Sequence, residues 1–243
     1  MLTTSTSFPK TRWTLIQKVR SGTDQERTEA LEDLCKAYWF PLYAFARKTG
    51  LTQQEAEDAV QNFMLGVLDT ELFAQAEKQL GHLRTLLLTY FSNELRNLSR
   101  EARRQKRGGN AVHVPIDLPD AEGRYQLEIA SSDLPADTIY HRQWAESLVK
   151  RALDRLQTRY ESQGQSARFK VLRAYMPLDD SRCDAGAGAA AAGMSPAHFR
   201  VALHRSRVRY RQIIIDEVGR TIGSDDPALI QNEIQALFEA LSH

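Results

Sequence analysis

With 243 residues, 42% of them hydrophobic and 26% charged, the chain has the balance of an ordinary globular protein, large enough for one big domain or two small ones. Its two cysteines, Cys35 and Cys183, exclude a disulfide framework and a cysteine-rich zinc site, and the six histidines are dispersed. The formal net charge of +1 conceals opposed blocks: residues 53–71 carry five acids and no lysine or arginine, residues 84–107 seven basic residues against two acids, residues 116–139 six acids and Arg124, and residues 198–215 five arginines and no acid. Such blocks point to several surfaces with different partners.

Residues Met1 to Lys10 are Ser/Thr-rich without an apolar core, and no apolar run approaches 18 residues. Neither a signal peptide nor a membrane span is therefore expected, and the cytoplasm is the default location. From Thr28 to Arg47 the apolar residues Leu31, Leu34, Cys35, Tyr38, Leu42 and Phe45 recur at helical spacing, with Pro41 expected to kink or split the helix and Gly50 to end it. Thr52 and Glu55 have capping-box spacing. The following helix places Ala56, Ala59, Val60, Phe63, Met64 and Val67 on one face; Asp58, Gln61, Asn62 and Asp69 lie opposite, with Leu65 among them. Leu65 reads either as a scattered surface leucine or as part of a partner-binding face.

Residues Leu83 to Arg107 form the most distinctive stretch. Leu87, Phe91, Leu95, Leu98 and Ala102 form an apolar back, expected to be buried. The front carries Asn93, Arg96, Asn97, Arg100, Arg103, Arg104 and Arg107, with Thr85, Thr89, Tyr90 and Phe91 supplying hydroxyls and rings. Arginine and amide side chains suit phosphates and base edges, and aromatic rings suit unpaired bases. A charge run alone is more often a solvated face; the amides and aromatics tip this one toward nucleic acid. Residues 108–139, opened by Gly-Gly-Asn and punctuated by Pro115, Pro119 and Pro135, show no sustained period and read as an extended acidic linker.

A second domain starts near Tyr140 with the stripe Ala145, Leu148, Val149, Ala152, Leu153, Leu156 and Tyr160, followed by a polar turn at 161–166 and a helix over 167–175. Residues 184–211 resemble a helix-turn-helix: Ala189 at the helix crossing, Gly193 in the turn, and Phe199 anchoring the next helix, which opens on Ser195 as N-cap and Pro196 in its first turn. That helix carries His198, Arg200, Val201, His204, Arg205, Arg207 and Arg209 around an expected core of Phe199, Leu203 and Val208, a composition that suits a major groove. Its partner, DAGAGAAAAG, is glycine-rich and short as a helix; the alternative is a low-complexity loop. A last amphipathic helix, Pro227 to Leu241, is expected to pack on the second domain, or else to contact a regulator or subunit.

Taken together, Phe8-Pro9-x-Thr11-Arg12-Trp13, AYWFPLYAFARKTG, AEDAVQNFMLGVL, LRTLLLTYFSNEL with its QKRGG ending, and ALHRSRVRYRQ resemble, in order over residues 8–215, bacterial sigma factors of the small extracytoplasmic-function (ECF) type. The resemblance implies an all-α protein: sigma region 2 as a helical bundle over 8–107, a flexible acidic linker over 108–139, sigma region 4 as a helix-turn-helix over 140–215, and a C-terminal extension over 216–243. Asp58, Gln61, Asn62 and Leu65 would dock on core RNA polymerase, on the clamp of the beta-prime subunit, with the beta subunit as a further contact. Tyr90, Asn93, Arg96, Asn97, Arg100, Arg103 and Arg104 would recognise and melt the minus-ten element of promoter DNA. Ser195, His198, Arg200, Val201, His204, Arg205 and Arg209 would read the minus-thirty-five element, and the acidic linker would occupy channels otherwise used by RNA. An anti-sigma factor or other regulator is an open partner. The Ala/Gly-rich first helix of the helix-turn-helix and the tail after Glu217 depart from the family pattern.

The competing reading is a helix-turn-helix regulator acting without polymerase, for which the first domain supplies no ligand or dimer module. An enzyme is disfavoured: there is no glycine-rich phosphate loop, metal cluster or nucleophile motif, and the paired Asp179 and Asp180 sit beside a turn. No metal or cofactor is expected.

Overall fold

The computed structural model describes residues 23–69, 83–104, 121–176, 185–222 and 226–242. Among them there are helices and turns and no strand, in keeping with the all-α expectation. They fall into two units, one comprising residues 1–147 and 219–243, the other Leu148–Val218. The first boundary lies several residues beyond the expected start at Tyr140, and the C-terminal extension joins the first unit.

Helix α1 (Asp24–Lys48) starts on a full capping box: Thr23 Oγ1 accepts from the Glu26 N–H, and the Glu26 carboxylate accepts from the Thr23 N–H at 2.9 Å. Pro41 does not split it. The flanking Tyr38, Leu42, Tyr43, Ala44 and Ala46 are all buried, and their packing outweighs the backbone bond the proline cannot donate. Gly50, at φ 101°, ends the segment in a conformation that glycine adopts without strain. Thr52 and Glu55 form the expected capping box, with the Thr52 N–H donating to the Glu55 carboxylate at 2.8 Å, and α2 (Gln53–Asp69) follows.

Helix α3 (Leu83–Arg104) closes the bundle. Phe91, fully buried, packs at 6.2 Å from Phe45 of α1 and 5.1 Å from Phe63 of α2, so one aromatic ring ties three helices together. Leu87 is equally buried and Leu95 is half-buried, but Leu98 is 43% exposed. Its predicted burial fails because the apolar stripe outruns the core toward the helix C-terminus.

The segment read as an extended linker holds an eight-residue helix, α4 (Ala121–Glu128), docked on α1. Arg47 grips Glu122 in a bidentate pair, Nε to Oε2 at 3.0 Å and NH2 to Oε1 at 2.8 Å, while Tyr43 donates to the same carboxylate. The Tyr125 ring stands edge-on to Tyr43, and Arg124 stacks over Phe40 at 3.9 Å. The acids of this stretch are thus partly neutralised within the chain: Glu122 by Arg47, and Glu128 by Arg124.

Helix α5 (Ala136–Ser162) contributes Ile139, Tyr140 and Trp144 to the first unit and Leu148, Ala152, Leu156 and Tyr160 to the second. In the second unit it is joined by α6 (Ser166–Arg173), α7 (Ala185–Ala191) and α8 (Pro196–Ile222). Helix α9 (Pro227–Leu241), capped by Asp226, ends the described chain. It was expected on the second domain; instead it belongs to the first unit, where Glu233 pairs with Arg84 of α3.

Candidate nucleic-acid interface

Helices α7 and α8 form the helix-turn-helix of the second unit. Ala189 is buried, Gly193 makes the turn at φ 62°, and Phe199 is fully buried. The Ser195 Oγ accepts from the His198 N–H at 3.3 Å, the expected N-cap. The two helices also approach closely at Gly188: a Cβ there would stand 2.4 Å from Phe199 Cζ and 2.6 Å from its Cε1. The glycine that makes α7 look poor in isolation is what lets it cross α8.

Around this anchor α8 turns outward Ser195, His198, Arg200, Val201, His204, Arg205 and Arg209, all exposed. Among the described residues Arg200, Arg205 and Arg209 have no acidic partner within ion-pair distance, so they present uncompensated positive charge. Arg207 is the exception, donating through Nε and NH2 to the Tyr175 carbonyl at 3.2 and 2.9 Å. It fixes the end of the preceding turn instead of facing out. Val208, expected in the core, is 49% exposed. Nine residues beyond Phe199 it lies half a turn round the helix, and Ser206 takes the interior position, its hydroxyl 2.5 Å from Tyr160 Oη.

In the first unit, Asn93, Arg96, Asn97 and Arg100 of α3 are exposed and recur at i, i+3, i+4 and i+7, which places them on one face. Tyr90 is half-buried beside them, and Thr85 and Thr89 extend the stripe toward the helix start. The side chains of Arg103 and Arg104 lie outside the described residues, as do Arg107 and the Phe8–Trp13 motif. Burial pushes the half-buried Glu94 carboxyl on this helix above its ordinary value.

The face of α2 is only partly as expected. Leu65 is 43% exposed and Asn62 is exposed; Asp58 is half-buried, Phe63 is buried, and the Val67 side chain lies outside the described residues. Gln61 is only 7% exposed and drops out of any docking surface. It sits one residue after fully buried Val60 and three before buried Met64, on the flank where the apolar side closes over it.

Comparison of the chain with protein-family models, curated proteins and solved structures found no match. No helix among the described residues is long and apolar enough to cross a membrane.

Proposed function

We propose that the chain is an ECF-type sigma factor, a cytoplasmic subunit that brings core RNA polymerase to promoters and helps open them. One observation carries this reading: a single chain exposes two cationic helices of different chemistry, each anchored by its own buried phenylalanine, Phe91 in α3 and Phe199 in α8. The α8 face carries three arginines and two histidines around a capped N-terminus, the form that fits a duplex groove. The α3 face mixes arginine with asparagine, threonine and tyrosine, the form that fits unstacked bases and their backbone. In this reading α8 takes the minus-thirty-five element, α3 takes the minus-ten element, and Asp58, Asn62 and Leu65 of α2 meet the beta-prime clamp.

Run-off transcription with purified core polymerase on a promoter library tests the reading directly; absence of any promoter-specific transcript sinks it. Asp58→Arg is expected to weaken core binding with no change in the unfolding midpoint. Unaltered core affinity for that variant removes the docking role. The helix-turn-helix by itself also fits a regulator that binds DNA without polymerase, and co-purification with core enzyme separates the two.

A further inference from the structure

Arg84 opens α3 ahead of the basic face, yet its guanidinium is turned inward. Nε and NH2 hold the Glu233 carboxylate of α9 at 2.6 and 3.2 Å, NH1 lies 3.0 Å from His141 Nδ1 of α5, and the group stacks 4.8 Å over the Trp144 ring. Glu233 is 1% exposed, an acid buried on the last helix and held by an arginine 149 residues earlier. The apolar hold of α9 is modest: Leu237 and Ala240 are buried, Ile230, Ile234 and Leu241 are half-buried, and Leu229 and Phe238 are 41% and 43% exposed. The Arg84–Glu233 ion pair adds to that hold, and losing either partner strands a buried charge.

His141 is placed to disturb that pair. Arginine has no acceptor, so the Nδ1 facing NH1 must carry the lone pair and the ring proton sits on Nε2. Protonation sets N–H against N–H and adds a second cation. The groups facing the imidazole are Arg84 from α3, Glu233 from α9, and Asp137 and the Tyr140 ring from α5 itself. The two acids favour the imidazolium; burial and Arg84 oppose it and prevail, holding the His141 pKa below its ordinary value.

We propose that α9 is an acid-releasable latch on the first unit, fastened by Glu233 on Arg84 and loosened when His141 takes a proton. Release returns Arg84 to solvent at the amino end of the helix that carries Asn93, Arg96 and Arg100. The sign follows from linkage: a histidine whose pKa is depressed in the latched state stabilises that state above its free pKa, and the contribution is lost as pH falls through the depressed value.

Amide hydrogen exchange on the full chain, with times scaled for the intrinsic pH dependence, tests the latch independently of any polymerase activity. Glu233→Gln is expected to speed exchange across residues 227–241 and the first turn of α3 on the order of a hundredfold, with α1 and α2 unchanged. The double variant Arg84→Met, Glu233→Met removes both charges and is expected to restore protection. The unaltered chain is expected to expose α9 at pH 5 relative to pH 7.5, and His141→Asn, whose amide oxygen can still accept from Arg84, to lose that dependence. The latch is overturned by any of three results: α9 exchange unmoved by Glu233→Gln, α9 opening only together with α1–α3, or the same pH profile in His141→Asn.

Discussion

At Gly188 a single missing methyl decides whether α7 crosses α8. Alanine is worth about 1 kcal/mol over glycine in a helix interior, but here its Cβ meets ring carbons that cannot withdraw, and overpacking costs ~1–3 kcal/mol. Gly188→Ala is therefore expected to lower the stability of the second unit. Gly66 of α2 has nothing within 4 Å of its would-be Cβ, so Gly66→Ala is expected to stabilise by up to about 1 kcal/mol. Urea denaturation of the two variants gives opposite signs if this account is right; equal signs refute it. Glu122 makes a second residue-scale prediction. The Arg47 guanidinium, with help from Tyr43 and Gln126, holds its pKa at about 2 against an ordinary 4.5. A depressed carboxylate pKa stabilises above the unfolded value and loses that contribution as pH falls toward the folded one, here between about pH 4.5 and pH 2. Glu122→Gln is expected to cost about 2 kcal/mol at pH 7 and progressively less below pH 4.5. A pH-independent difference between variant and parent would show that the pair contributes nothing through charge.

At the scale of the element, the helices that sequence made legible were those with local punctuation. Thr52 with Glu55, and Ser195 with Pro196, announce α2 and α8 because a cap is a contact between near neighbours. Helix α4 had no such signal: eight residues are too few for a period to show, and its order depends on Arg47, Tyr43 and Phe40, some 75 to 85 positions away in sequence. The placement of α9 was hidden for the same reason, since nothing in the local sequence links Glu233 to Arg84. Periodicity named the right core face but not its depth, as Leu98 shows, nor its phase over long spacings, as Val208 shows. The exposed residues of the α8 site were legible because five cationic or imidazole side chains cannot be buried without partners. Arg200→Ala and Arg205→Ala should accordingly leave the fold intact and weaken duplex binding roughly 5- to 150-fold if the arginine pairs with a guanine. Competition binding over a site library checks this, and a variant that touches a base also relaxes preference at that base.

For the molecule as a whole, the two cationic helices belong to separate compact units, and their different chemistry makes them separable by experiment. Under the proposed assignment, duplex recognition by α8 would require intact groove geometry, whereas the α3 face would gain only when bases leave the stack. Strand opening costs free energy that the α3 contacts would offset under that assignment, so a template already melted around the start site removes that cost. Arg96→Ala and Asn97→Ala are thus expected to lose permanganate reactivity at the start site on closed promoters and to regain transcription in part on a pre-melted one. Arg200→Ala and Arg205→Ala act before opening, and pre-melting is expected to restore them less. Rescue of the α8 variants but not the α3 variants would reverse the two assignments. Indifference of transcription to both sets would remove the sigma reading.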